Sequence, residues 1–321
     1  MRIKAYGTRG SSPVQRPQTA RFGGNTTCFR VFSECVPRRV ALVIDAGSGF
    51  VPASRDLLAA EGFDQVVVLM THYHHDHTQG FPLAPVTYAK KLLIRVLGPK
   101  EHGVGPREML EAIMRAPFFP VEFAMQASHF EFTTLSNIGC DVVLIHPDEG
   151  AMVVRVEDFE RLLSDGSAPG VPLTRAALDE CLVVRMHKTV HPEYTVSYRF
   201  EERPTGKVMV FLTDHENTDS LPAALRAHIQ GADLLIQDAQ YTRSQYDANR
   251  AGFGHGSGDY AARVMKETSV ARLGHTHHDP MADDQDVDAI VTESRDWLRA
   301  NGAAALADNV FAFADYDEVE V

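Results

Sequence analysis

The sequence has few cysteines and no long apolar run. Its 321 residues include four cysteines, none in a Cys-x-x-Cys pair, which are too few for a disulfide scaffold. We expect reduced thiols that are poor metal ligands at Cys28, Cys35, Cys140 and Cys181. No run of eighteen apolar residues occurs, and residues 1–6 lack the apolar core of a signal peptide. These absences predict a cytoplasmic protein without a membrane segment.

Positive charge is also scarce. Lys and Arg total 31 against 43 Asp and Glu, which gives a formal net charge of −12 and disfavours a broad nucleic-acid or anionic membrane surface. The length is sufficient to bury a large core. No repeat or linker divides the chain, so we expect one domain over residues 1–321 with insertions near 98–125 and 147–180.

One segment is rich in potential metal ligands. In the pattern His-x-His-x-Asp-His, His72, His74, Asp76 and His77 follow the apolar run 66–70. Alternate side chains of an extended segment face the same way, so His72 and His74 can approach one ion. Asp76 and His77 follow a turn and can approach a second ion. The alternative, a hydrogen-bonded polar loop, explains four such residues within six positions less well.

Apolar runs and helical patterns outline the remaining elements. They predict strands near residues 2–6, 28–33, 41–45, 65–70, 92–97, 130–135, 141–145, 182–187, 195–201, 208–213, 233–237 and 270–274. They predict helices near residues 52–61, 106–115, 174–180, 221–230, 258–268 and 286–301. Early strands followed by strand–helix alternation favour an α+β protein.

The 72–77 motif resembles that of the metallo-β-lactamase superfamily. The runs Tyr6–Pro13 and Gly23–Cys28 are similar to the branch that contains ribonuclease Z and related phosphodiesterases. The resemblance spans nearly the whole chain. It implies a four-layer αββα sandwich, with a metal site at one edge of two packed sheets.

The resemblance also implies three further ligands, each after an apolar strand. His191, in Thr-Val-His-Pro, is similar to the third-motif histidine, although His187 is a rival and His191 could instead cap a turn. Asp214, in Thr-Asp-His-Glu, matches the aspartate that bridges two ions, the alternative being a helix cap. His277 matches the last ligand, with His275 two residues earlier as its alternative.

The implied centre therefore holds two divalent ions. His72, His74 and His191 would bind one ion, Asp76, His77 and His277 would bind the other, and Asp214 would bridge them. Two ions roughly 3.5 to 4 Å apart lower the pKa of a shared water, which provides a hydroxide nucleophile, and orient a phosphoryl group. Nitrogen-rich ligation with carboxylates favours zinc, with manganese or iron as alternatives.

Two further residues resemble the proton-transfer pair of ribonuclease Z. Asp238 would orient His255, and His255 would give a proton or hydrogen bond at the phosphate. Ribonuclease Z has glutamate at the position of Asp238, so we expect the shorter side chain to reach His255 only through a shift or a water molecule. The structural alternative for His255 is a helix cap or a support for the metal ligands. Together with Asp76, these are the predicted catalytic residues.

The substrate is less strongly indicated. The 98–125 insertion is expected to cover the cleft, and the 147–180 insertion to form a lid or a homodimer contact. The Gly-rich basic arm with which ribonuclease Z holds tRNA is missing. We expect a phosphodiesterase for a small or exposed phosphodiester, such as a cyclic nucleotide or a nucleic-acid end. The alternatives are a carboxylic ester, lactone or thioester hydrolase, a metal-containing sensor module, and an oxygen-reactive di-iron protein.

Overall fold

Apolar runs form fifteen strands in the part of the chain that the computed structural model describes, residues 1–60, 62–125 and 129–321. The strands are β1 Arg2–Gly7, β2 Cys28–Phe32, β3 Val40–Ile44, β4 Gln65–Leu69, β5 Leu93–Pro99, β6 His129–Leu135, β7 Asp141–His146, β8 Gly150–Arg155, β9 Leu182–Lys188, β10 Val196–Glu202, β11 Lys207–Leu212, β12 Leu234–Asp238, β13 Arg272–Thr276, β14 Val310–Ala312 and β15 Glu318–Glu320. The helices are α1 Phe50–Ala59, α2 His75–Thr78, α3 Pro106–Ile113, α4 Val156–Asp165, α5 Arg175–Leu178, α6 Ala223–Ile229, α7 Arg243–Asn249, α8 Gly258–Glu267 and α9 Asp284–Ala300.

The strands form two mixed sheets. The first has the order β15-β1-β2-β3-β4-β5-β6, and β3 to β6 are parallel. The second has the order β14-β13-β12-β11-β10-β9-β7-β8, and β11 to β14 are parallel. Strand β10 is antiparallel to both of its neighbours, so β9 runs in the same direction as β11.

Apolar faces of the two sheets meet in the centre of the molecule. Phe29 on β2 lies 5.1 Å from Phe211 on β11, measured between ring centroids, and both rings are fully buried. Burial of each such ring stabilises the fold by about 1.5 to 3 kcal/mol. The helices α1 and α3 cover the outer face of the first sheet, and α6, α8 and α9 cover that of the second. The predicted α+β sandwich with four layers is therefore confirmed.

The sheet directions bring several loops to one edge. The carboxyl ends of parallel strands lie at the same edge of a sheet, so the residues after β9, β11, β12 and β13 are neighbours there. The candidate residues His191, Asp214, Asp238 and His277 all lie at these strand ends. The loop after β4, which carries the His-x-His-x-Asp-His motif, meets them from the first sheet.

Some elements differ from the predicted ones. Helix α1 begins at Phe50, before the predicted 52–61, and Glu61 lies outside the described residues. The 147–180 segment contributes β8, the edge strand of the second sheet, and α4, which packs against that sheet through Phe159 and Leu162. This segment is thus largely part of the packed body of the protein.

Helix α2, β14, β15 and α7 were also not predicted. Strands β14 and β15 have only three residues each, too few for a clear periodicity. Helix α7 is polar. None of the helices within residues 1–60, 62–125 and 129–321 has the length and apolarity that crossing a membrane requires.

Candidate metal centre

Asp45 fixes the loop that follows β4. One Asp45 oxygen accepts the Thr71 backbone N–H at 2.7 Å, and the other accepts the Thr71 hydroxyl at 2.8 Å. The second oxygen also lies 2.8 Å from His77 Nδ1. An ionised carboxylate can only accept hydrogen bonds, so Nδ1 carries a proton and Nε2 is the ring nitrogen that faces the centre. Asp45 thereby orients both the loop and the His77 ring.

The structure brings the seven predicted ligands into two adjoining groups. Within each group the potential ligand atoms lie within 4.8 Å of one another. The first group is His72, His74, His191 and Asp214, and the second is Asp76, His77 and His277. This is the partition that the resemblance implied.

Asp214 faces both groups. Its Oδ2 lies 3.5 Å from His72 Nε2 and 3.9 Å from His191 Nε2. Its Oδ1 lies 3.4 Å from the Nε2 atoms of both His77 and His277. One oxygen toward each group is the arrangement that a bridging carboxylate needs.

The donor set fits metal ions. His191 Nδ1 lies 2.9 Å from the Gly254 carbonyl and must donate to it, so His191 Nε2 faces the centre as a lone pair. His77 Nε2 lies 3.4 Å from His277 Nε2, and the buried His72 Nε2 has no hydrogen-bond partner among the described residues. Converging, buried lone pairs are costly unless a cation meets them. These residues can therefore hold two divalent ions.

The amino-terminal run supports the second group. The backbone N–H of Ser11 donates to Asp76 Oδ2 at 2.7 Å, and the same oxygen lies 3.0 Å from His277 Nε2. Gly10 packs directly on the His277 ring, where an added Cβ would lie 2.2 Å from Nδ1. The Tyr6–Pro13 run thus positions two of the candidate ligands.

The carboxylates and imidazoles of the centre shift one another's pKa values. Although burial alone would lower the pKa of His77, Asp214, Asp76 and Asp45 together raise it well above its ordinary value. Burial would raise the pKa of Asp214, but the neighbouring histidines hold it well below its usual range. The neighbouring imidazoles therefore favour the ionised form of Asp214, the form that can bind a metal ion.

The alternatives His275 and His187, and the neighbouring His278, point elsewhere. His275 Nε2 lies 2.8 Å from the Ser294 hydroxyl on α9, and burial lowers the pKa of His275 to about 3. His278 Nε2 lies 2.9 Å from the Phe313 carbonyl. His187 is on β9 beside His228, with 5.5 Å between ring centroids. The structure therefore brings His277 and His191 into the centre and leaves these alternatives outside the two donor groups.

Asp238 and His255 lie together at the edge of the centre. Asp238 Oδ2 is 3.0 Å from His255 Nδ1, so contact is direct, and the expected shift or water molecule is not needed. The His255 ring stacks on His277 with 4.7 Å between centroids. Its ligand atom also lies within 4.8 Å of those of Asp214 and His277. Burial would lower the pKa of His255, but the hydrogen bond to Asp238 and the nearby carboxylates raise it.

Glu216 joins the two loops that carry His191 and His255. Its backbone N–H donates to the Val190 carbonyl at 2.7 Å, and its Oε2 accepts the Gly254 N–H at 2.7 Å. The Tyr246 hydroxyl donates to its other oxygen. No local signal in the sequence indicates that Glu216 links residues so far apart in the chain.

Known proteins share this architecture. Ribonuclease BN from Enterobacter sp. (strain 638) is 25% identical over 244 residues, covering 71% of this chain and 75% of the ribonuclease. The metallo-β-lactamase fold protein YhfI from Bacillus subtilis has a TM-score of 0.63 and 16% identity, covering 100% of this chain and 99% of YhfI. Human tRNase Z, short form, has a TM-score of 0.59 and 18% identity, and the match covers 100% of this chain and 99% of tRNase Z.

No protein-family model matches the chain. The chain has the metallo-β-lactamase fold. Its similarity to ribonuclease BN and tRNase Z confirms the resemblance that the sequence motifs predicted.

Proposed function

We propose that this chain is a dinuclear metal-dependent hydrolase that cleaves small or exposed phosphodiesters. The observation that carries the proposal is the pair of donor groups sharing Asp214, with His255 beside them. His72, His74 and His191 would hold one ion, Asp76, His77 and His277 the other, and Asp214 both. Two bound divalent ions, favoured as zinc by the imidazole and carboxylate donors, would activate water and neutralise phosphoryl oxygens.

The protein residues position the reacting groups. Asp45 holds the His77 ring, and the Gly254 carbonyl holds the His191 ring, each through Nδ1. Although burial would raise it, His77 and His277 hold the pKa of Asp76 well below its ordinary value, so Asp76 contributes fixed negative charge. The Ser11 N–H donates to this carboxylate at 2.7 Å. These contacts fix the site before substrate binds, which spares reorganisation during the reaction.

His255 is the proposed proton donor to the leaving oxygen. Asp238 accepts from His255 Nδ1 at 3.0 Å, which leaves Nε2 for the substrate side. Asp238 is itself held by the Gly256 N–H at 3.3 Å. A carboxylate that fixes the tautomer of an acidic imidazole is the arrangement that general acid catalysis needs.

Two observations support a phosphodiester as the substrate. The relatives named ribonuclease BN and tRNase Z are ribonucleases by name, so a related fold and motif set is associated with phosphodiester cleavage. The net charge of −12 disfavours a long nucleic acid and favours a small molecule or a nucleic-acid end. A single domain, a cytoplasmic location and a homodimer stay predictions.

Hydrolysis of bis(p-nitrophenyl) phosphate by the metal-loaded protein tests the proposal. We expect Asp214→Ala to lower kcat/KM by at least 100-fold, because both donor groups lose a shared ligand. Asp308→Ala, at an exposed surface position, is the matched control and should retain wild-type activity. Equal activity of Asp214→Ala and wild type would exclude the mechanism. If the protein hydrolyses lactones or thioesters but no cyclic nucleotide, RNA end or other phosphodiester, its substrate is not a phosphodiester and the proposed substrate class is wrong.

A further inference from the structure

An exposed phenylalanine lies on the loop that carries His255. Phe253 is 54% exposed, and the apolar core clusters of the described residues do not include it. Its backbone is nevertheless held in place: its N–H donates to the Arg250 carbonyl at 3.2 Å, and the next residue, Gly254, is bonded to both Glu216 and His191. Single exposed apolar side chains are common on protein surfaces, so the neighbours of Phe253 decide its role.

A series of ring contacts connects Phe253 with the metal centre. The Cζ atom of Arg250 lies 5.9 Å from the Phe253 ring centroid and 5.6 Å from that of Tyr241. The Tyr241 ring meets His255 edge to face, with 6.5 Å between centroids, and His255 stacks on the candidate ligand His277. Arg250 and Phe253 therefore lie on the side of the centre where the proposed proton donor is.

Two polar groups in this series have no hydrogen-bond partner. Among the described residues, the Arg250 guanidinium forms no hydrogen bond or ion pair, and the Tyr241 hydroxyl forms no hydrogen bond. Tyr241 is only 6% exposed, and the hydroxyl of a tyrosine buried to this extent usually has a partner. Both groups are hydrogen-bond donors that a bound ligand can use.

Opposite charges lie near the Tyr241 hydroxyl. Burial raises the pKa of Tyr241, the Asp279 carboxylate raises it further, and the Arg250 guanidinium lowers it. One negative and one positive group therefore act on this hydroxyl. Asp238 and Glu216 act more weakly, and both carboxylates are held by the hydrogen bonds described above. Because no surplus of positive charge remains, the surroundings disfavour a further anion and fit an uncharged ligand that has both donors and acceptors.

We propose that Tyr241, Arg250 and Phe253 form a subsite for a nucleobase of the substrate. The inference rests on the proposed function, since it names the organic group that accompanies the phosphate at the metal centre. A nucleobase is uncharged and planar, so it can stack on the exposed Phe253 ring and on the guanidinium plane of Arg250. Its edge carries donors and acceptors, which suit the free groups of Arg250 and Tyr241 and the carboxylate of Asp279.

Binding of AMP and of ribose 5-phosphate to the metal-loaded protein tests the subsite. The two ligands share a sugar and a phosphate monoester, so the base accounts for a difference in their affinities. Isothermal titration calorimetry measures both dissociation constants and needs no turnover. Stacking of one base on an aromatic side chain strengthens binding by about 5- to 150-fold. We expect wild type to bind AMP more tightly than ribose 5-phosphate by about tenfold.

Four variants assign the difference to these residues. We expect Phe253→Ala and Arg250→Gln each to weaken AMP binding by about tenfold and to leave ribose 5-phosphate binding unchanged. Phe253→Tyr keeps a planar ring and should bind AMP as wild type does. Leu58→Ala, which truncates an exposed apolar side chain on α1, is the matched control and should bind both ligands as wild type does. Thermal unfolding establishes that each variant is folded.

Two results would overturn the inference. One is that wild type binds AMP no more tightly than ribose 5-phosphate, or binds neither. The other is that Phe253→Ala weakens both ligands equally, which would show that Phe253 only supports the His191 loop. If the protein hydrolyses phosphodiesters without a preference for AMP in binding, the subsite alone is wrong. If it prefers AMP but hydrolyses no phosphodiester, the proposed function is wrong and the subsite stands.

Discussion

Individual ligands were predictable where their signal is local. His72, His74, Asp76 and His77 lie within six positions, so their spacing alone indicates metal binding. The contacts that orient them are not local: Asp45 is 32 residues from His77, and Ser11 is 65 residues from Asp76. A sequence cannot show which distant N–H or carboxylate meets a given ligand, because that depends on how the two sheets close.

The role of His255 is testable through the leaving group. A nitrophenolate leaves without protonation, whereas a sugar alkoxide needs a proton. We expect His255→Ala to lower kcat for a cyclic nucleotide by about 10² to 10⁴, and for bis(p-nitrophenyl) phosphate by less than tenfold. Steady-state kinetics on both substrates measures the difference between the two losses of kcat. His75→Ala, at an exposed position of the same motif, is the control. Equal losses on the two substrates would contradict a proton-donating role.

Secondary structure elements were predictable to the extent that they are apolar and regular. The central strands follow buried apolar runs, and they lie close to their predicted positions. Helix α7 was missed because it is polar, although its capping box, Thr242 with Gln245, is a local signal that could have identified it. Helix α4 was missed because its flanking Gly and Pro residues suggested a loop, despite the helical spacing of Phe159 and Leu162.

The amino-terminal run is an element whose packing can be tested at Gly10. In Gly10→Ala the new Cβ would meet the His277 ring at 2.2 Å from Nδ1, and His277 cannot retreat without leaving Asp76. We expect metal affinity to fall by about 10- to 100-fold. A zinc competition assay with a chelator measures this. Gly139→Ala is the control, because its Cβ would lie 4.0 Å from Asn137 Oδ1, the nearest atom in the described part of the chain. Unchanged affinity in Gly10→Ala would contradict the supporting role of this run.

The strand order was accessible only through the resemblance. Apolar runs predict strands, but they do not show that β7 lies beside β9 or that β14 closes the second sheet. Pairing of this kind depends on packing between residues that are distant in sequence. The edge where the candidate residues gather is therefore a property of the whole molecule.

The whole molecule should also lose stability in acid. Burial lowers the pKa of His275 to about 3 in the folded chain, against about 6.5 when unfolded. The folded state then binds fewer protons, so stability is complete above pH 6.5 and falls as pH drops toward 3. Each such histidine contributes about 1.4 kcal/mol per pH unit within that window.

Urea unfolding of metal-free protein at pH 6.5, 5.5 and 4.5 measures this dependence. We expect the free energy of unfolding of His275→Gln to depend less steeply on pH than that of wild type. The difference should correspond to about one proton taken up on unfolding. Identical slopes would show that His275 is not buried in its neutral form.

The central claim is that two donor groups hold two metal ions, and metal content tests it most directly. Elemental analysis after zinc reconstitution and removal of loosely bound metal should give two ions per chain in wild type. It should give about one ion in His77→Ala, because only the second group loses a ligand. Fewer than one ion per wild-type chain would contradict the dinuclear centre.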